Sequence, residues 1–180
     1  MSDTPQLNLT TLHASIKSEL TTAFPDVRYV DTYPRPGERI NTPALLFELE
    51  NIDVMQTGDV GTSQLPVTLV FNLYCVVSYK GTGKLSVRLL AASVLGWLKG
   101  KRFGQSIGPA IPSGADPDVL SGDPANEYEV FRISWRHEPC YLGASVWDST
   151  GTVPTEVNVG FDPNTGTPHV NEYITITPEL

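Results

Sequence analysis

Residues 65–79 read LPVTLVFNLYCVVSY, and apolar side chains recur in them at every second position. These side chains are Val67, Leu69, Phe71, Leu73, Cys75, Val77 and Tyr79. Successive side chains of a β-strand point to opposite faces of a sheet. The spacing therefore predicts a long strand, Pro66 to Tyr79, with one buried apolar face.

The other face of this strand mixes polar and apolar groups, with Val70, Asn72, Tyr74 and Val76 near its centre. A surface exposed only to water needs fewer apolar side chains, and apolar surface of this kind is commonly covered by a partner. We therefore predict that Val70, Asn72, Tyr74 and Val76 contribute to an interface between subunits.

Periodic patterns continue on both sides of the long strand. Apolar residues at helical spacing predict helices over 9–24 and from Lys84 to Leu98, and alternation predicts strands at Val27–Tyr33, Ala44–Ile52 and Glu127–Glu138. The order is α-β-β-β-α-β, and the half-polar second strand is typical of a mixed or antiparallel sheet. We predict one domain over 1–143. Beyond it, 144–180 reads as an extended C-terminal segment with short strands at Thr155–Val159 and Tyr173–Thr177.

Two polar, glycine-bearing stretches, 53–63 and 104–126, are predicted to be long surface loops that dock partners. Their acidic residues are Asp53, Asp59, Asp116, Asp118 and Asp123. These carboxylates either belong to a partner surface or are simply solvated.

The formal net charge of −8 and a pI near 4.7 argue against a protein that grips a nucleic-acid backbone. No apolar run approaches the roughly 20 residues of a membrane span, and Met1–Pro5 lacks the features of a signal peptide. Cys75 and Cys140 have no metal-binding spacing and are expected to be reduced, buried thiols, with a disulfide as the alternative.

Chemical motifs give no constellation above background. The stretch SYKGTGKL, residues 78–85, resembles a phosphate-binding loop, but Ser78 replaces its first glycine and Leu85 its Mg²⁺-binding hydroxyl. His13, His137 and His169 lack metal-ligand spacing. We expect no catalytic residue, cofactor or metal, and hence no enzyme.

The element order, the segments TPALLFELENID and LPVTLVFNLYCVVSY, and the helix end Trp-Leu-Lys-Gly at 97–100 resemble the tail terminator (tail completion) proteins of long-tailed bacteriophages. The similarity is greatest to the contractile-tailed, Mu-like group, and it covers roughly residues 7–143. It implies an α+β fold, in which a mixed or antiparallel sheet of about four strands carries two helices packed on one face.

The resemblance also implies a structural protein of the virion, assembled in the host cytoplasm. Six copies would form a ring that caps the tail tube, ends its polymerisation, and meets the neck or connector protein and the sheath. DNA would pass through without specific binding. From the acidic residues of the two loops we further predict that one of the loops lines the channel. The alternatives are another neck or head–tail connector adaptor, or a small α/β enzyme.

Overall fold

The computed structural model describes residues 7–33, 39–56, 61–80, 82–120, 127–146 and 156–176. The chain divides into two compact units, one within Asp3–Trp147 and one that includes the described residues 156–176. The elements in chain order are α1 (Leu9–Ala23), β1 (Tyr29–Thr32), β2 (Ala44–Val54), β3 (Leu65–Ser78), α2 (Gly83–Leu98), β4 (Ala110–Asp118), β5 (Tyr128–Leu142), β6 (Val157–Val159), a 3-10 helix (Thr167–Glu172) and β7 (Ile174–Ile176).

The first unit contains a five-stranded sheet in the order β1-β2-β3-β5-β4. Strand β1 is parallel to β2, and every other neighbouring pair is antiparallel, so the sheet is mixed. The predicted α+β class and mixed sheet are confirmed, whereas the predicted number of about four strands is one too low for this sheet.

Helix α1 forms where the sequence places a cap and an apolar stripe. The Asn8 side chain accepts a hydrogen bond from the Thr11 amide at 3.0 Å, which satisfies one free N–H at the helix start. Leu12, Ile16 and Leu20 recur at every fourth position and are fully buried. This spacing turns one side of the helix towards the sheet, as the sequence predicts.

The hydrophobic core lies between the two helices and a single face of the sheet. Both helices contribute to it, α1 through the residues above and α2 through Val87, Ala91, Val94 and Leu98. At the sheet side, Phe71 on β3 stacks on Trp135 of β5 with ring centroids 5.1 Å apart. The apolar face predicted from residues 65–79 is therefore buried over most of its length.

Strand β4 corrects the prediction of a loop over 104–126. Residues Ala110–Asp118 pair with β5, with Asp116 opposite Arg132. Proline and glycine depress strand propensity and hid this strand in the sequence, but pairing to β5 supplies its backbone hydrogen bonds.

The acidic residues predicted to lie in loops are placed differently. Asp116 and Asp118 lie in β4, and Asp53 lies in β2, which extends to Val54. The loop assignment is wrong for these three residues. Asp59 and Asp123 lie outside the described residues.

The second unit pairs β6 with β7 in an antiparallel ribbon, at the two places where short strands are predicted. The 3-10 helix connects them, and the Gly166 amide donates to the Tyr173 hydroxyl at 2.6 Å. Phe161, Val170 and Ile174 are exposed, and none of the described residues 156–176 whose burial is assigned is buried.

Candidate functional site

The sheet face opposite the helices carries charged, polar and apolar side chains, and we call it the open face. Cross-strand pairing assigns its members, because residues paired across strands point to the same side. They are Leu46, Glu48, Asp53, Thr68, Val70, Asn72, Tyr74, Val76, Asp116, Asp118, Val130, Arg132, Ser134, Arg136 and Glu138.

One end of the open face is apolar and covered by the chain itself. Val76 is fully buried there with Leu46 and Val130. Ile40 and Leu120, which precede β2 and follow β4, pack against this cluster. A second subunit therefore cannot reach the Val76 side chain without displacing these segments.

The remaining predicted interface residues differ in accessibility. Asn72 is 2% exposed, and its side-chain oxygen accepts a hydrogen bond from the Ser134 hydroxyl at 2.7 Å. Val70 and Tyr74 are half-buried and reachable. Burial therefore argues against direct contacts of the Asn72 and Val76 side chains with another subunit. Val70 and Tyr74 are the two predicted interface residues that a second subunit could reach.

Tyr74 anchors the middle of the open face. Its hydroxyl donates to Glu48 Oε1 at 2.7 Å. Burial, followed by the Glu48 carboxylate, raises the pKa of Tyr74, so the phenol stays protonated as a donor. Arg132 lies opposite Tyr74 in the register, and its Nε is 3.4 Å from Asp118 Oδ2.

The far end of the open face is also charged. Arg136 Nε lies 3.0 Å from Glu138 Oε1, and the Thr68 hydroxyl donates to the other oxygen of Glu138 at 3.4 Å. Asp53 and Asp116 are exposed. On strands β2, β3, β4 and β5, five carboxylates of the open face oppose two guanidinium groups, so this part of the face is net negative.

Replacing Tyr74 with phenylalanine is expected to destabilise the protein by about 1–2 kcal/mol, because Glu48 loses a charge-assisted hydrogen bond in a half-buried position. Denaturant unfolding measures the change. Tyr79→Phe is the matched control, since Tyr79 is 57% exposed and should change stability by less than about 0.5 kcal/mol. Equal effects of the two substitutions would contradict a special role for the Tyr74 hydroxyl.

The junction between β3 and α2 has a packing explanation. A Cβ atom at Gly83 would lie 2.5 Å from the Ser78 carbonyl oxygen, so no larger residue fits at this turn. A surface pocket beside it is lined by Tyr79, Lys80, Thr82, Lys84, Leu85 and Glu129. A phosphate bound in this pocket would need cations and amide N–H groups around it, whereas the Glu129 carboxylate in the lining would repel it. The glycine before Lys84 is thus accounted for by the close approach of the backbone.

A second polar cluster lies inside the core, and no sequence pattern predicts it. The Trp135 indole donates to His137 Nε2 at 3.1 Å, while His137 Nδ1 lies 2.8 Å from the Gly108 carbonyl oxygen. This arrangement fits a neutral imidazole that donates from Nδ1 and accepts at Nε2. Burial lowers the pKa of His137, which favours that neutral form. Both ring nitrogens are engaged, so His137 is a structural residue rather than a free base.

Both cysteines are buried free thiols, as predicted. Burial raises the pKa of Cys75 and raises that of Cys140 to about 11. Burial thus disfavours the thiolate form of both cysteines, which is the form that acts as a nucleophile.

The other two histidines also have polar partners. His13 lies 2.7 Å from the Leu9 carbonyl oxygen and 3.1 Å from the Tyr33 hydroxyl, and His169 lies 3.1 Å from Glu172 Oε1.

Within the part of the chain that the structure describes, no group of three or more metal-binding side chains comes together. No helix among the same residues is long and apolar enough to cross a membrane. Compared with protein-family models and with curated proteins, the chain matches none.

Proposed function

We propose that this protein is a structural component of a long-tailed bacteriophage, a tail terminator that caps the tail tube as a hexameric ring. The observation that carries the proposal is the two-sided build of the first unit. Helices cover one face of the sheet, and the charged middle of the open face carries half-buried side chains that a neighbouring subunit could cover.

The helix end at Trp97 adds support, because it is one of the features on which the family resemblance rests. Trp97 packs against Phe24 at the end of α1 with ring centroids 5.7 Å apart. The Lys101 ammonium lies 4.5 Å from the centre of the Trp97 ring and 2.9 Å from Glu19 Oε2. These contacts hold the ends of both helices together, so the unit can act as one building block.

The acidic character of the chain suits a ring through which DNA passes without binding, because like charges repel the phosphate backbone. The tail tube, the neck or connector protein and the sheath would be its partners. Asp59 and Asp123 lie outside the described residues, and for these two loop acids the lining of the channel stays a prediction.

Electron microscopy of the purified protein, alone and mixed with tail tubes of the same phage, tests this function. We expect sixfold rings at one end of each tube, and tubes that stop growing once capped. A protein that stays monomeric and leaves tube ends bare would overturn the proposal. Binding to isolated connectors in place of tubes would indicate a neck adaptor instead.

A further inference from the structure

Positive charge is concentrated in one segment of the chain. Residues 79–115 contain half of the twelve lysines and arginines and no aspartate or glutamate. They are Lys80, Lys84, Arg88, Lys99, Lys101 and Arg102. The rest of the chain holds all twenty acidic residues. Positive charge is therefore clustered along the sequence, although the net charge of the chain is negative.

Two of these cations flank an exposed apolar pair on α2. Leu85 is 60% exposed and Leu89 is 61% exposed, one helical turn apart. Lys84 and Arg88 precede them and are exposed as well. We call Lys84, Leu85, Arg88 and Leu89 the α2 patch. Exposed leucines with cations beside them are typical of a surface that a partner covers.

The α2 patch and the open face lie on opposite sides of the same unit. Helix α2 buries Val87, Ala91 and Val94 against the helix-covered face of the sheet, so its exposed positions point away from the sheet. The open face is on the far side and is net negative. The cationic α2 patch of one copy can therefore be attracted to the negative open face of another copy.

We propose that the α2 patch of one copy docks on the open face of a second copy. Cations of the α2 patch would meet the exposed carboxylates of the open face, Asp53 close to Val70 and Asp116 further along the sheet, and the two leucines would cover half-buried Val70. The two surfaces differ, so the contact is head to tail, and such contacts generate closed rings when the rotation between copies closes. The inference rests on the proposed ring and adds the surfaces that build it.

A second copy fits the α2 patch better than nucleic acid does. Leucines add nothing to phosphate binding, which depends on a row of free cations. In the same segment Lys101 is paired with Glu19, and the Arg102 guanidinium donates to the Ile107 carbonyl. Arg88 lies over the Phe131 ring but is exposed, so its guanidinium is still accessible to a carboxylate. The cations left free are few, and complementary carboxylates are present on the chain's own opposite side.

Two charge-reversal variants test the docking. K84E/R88E makes the α2 patch negative, and D53K/D116K makes the open face more positive. We expect each variant alone to self-associate at least about tenfold more weakly than the wild type, measured by sedimentation and by ring counts on tubes. An equimolar mixture should regain assembly, because each reversed surface then faces an opposite charge. R28E/K99E, which changes the net charge equally with K84E/R88E, should assemble as the wild type does.

The outcomes separate this inference from the proposed function. A wild-type protein that caps tubes while both variants assemble normally would overturn the docking and leave the ring intact. Variants that fail singly and also fail when mixed would overturn the pairing of these two surfaces. K84E/R88E that assembles but loses binding to duplex DNA would assign the α2 patch to nucleic acid. A wild type that neither associates nor caps tubes would overturn the proposed function itself. Circular dichroism of each variant verifies that it is folded.

Discussion

Phe71→Ala is expected to lower the free energy of unfolding by about 3–5 kcal/mol, the range for a large aromatic side chain removed from a core. Phe71 is fully buried at the centre of β3. Its ring stacks on Trp135, meets His137 at 5.9 Å in a T-shaped contact, and lies 5.9 Å from His13. Alanine would leave a cavity lined by aromatic rings that are held by their own strands and helix.

Denaturant unfolding followed by circular dichroism measures this loss. Tyr79→Ala removes an aromatic side chain of similar size from an exposed position on the same unit, so it should change stability by less than about 0.5 kcal/mol. A Phe71→Ala variant that unfolds at the wild-type midpoint would show that the stacked pair is not part of the core.

Stability is expected to fall as the pH drops below about 6.5, the ordinary pKa of a histidine. The pKa of His137 is lower in the folded state than in the unfolded state, because burial disfavours the imidazolium. Between the two pKa values the unfolded chain binds the additional proton, and stability decreases by up to about 1.4 kcal/mol per pH unit. Above pH 6.5 this contribution is complete and constant.

Unfolding curves between pH 8 and pH 5 test this slope. His137→Gln removes the titrating group, so its stability should depend less steeply on pH than that of the wild type, whatever its absolute value. Arg102, whose charge also lowers the pKa of His137, is unchanged in both proteins. Parallel pH profiles for His137→Gln and the wild type would contradict a neutral buried imidazole.

The periodicity of apolar residues correctly predicted the helices and strands that bury only one of their faces. Strand β3 and helix α1 show their core faces directly in the spacing of apolar residues, as Phe71 on β3 and Ile16 on α1 illustrate. Their ends agree with the structure to within about two residues, the usual uncertainty of helix and strand ends. Local pattern is sufficient in these cases, because each residue's environment follows from its position in a single element.

Pattern failed where distant segments determine the environment. Strand β4 forms through its pairing with β5, although Pro112, Gly114 and Pro117 give it little propensity of its own. The alternation of β3 places Val76 on the face predicted to be accessible. Ile40 and Leu120, which are remote from it in sequence, pack against its cluster and cover it. The hydrogen bond between Trp135 and His137 was likewise hidden, because it depends on how the chain around Gly108 packs. A Cβ atom at Gly108 would lie 2.0 Å from the Glu138 carbonyl oxygen.

The prolines of β4 limit how sheets of neighbouring copies can join. Strand β4 ends the strand order, so one of its sides has no strand beside it in the described sheet. Edge strands accept proline where the nitrogen faces away from the sheet, and Pro112 and Pro117 therefore remove two donors that an added strand would use. A continuous intermolecular sheet through β4 is disfavoured, which also protects the free protein from edge-to-edge aggregation. Copies that meet at the β4 edge must then recognise one another through side chains, and contacts of this kind between charged groups should weaken as added salt screens the charges.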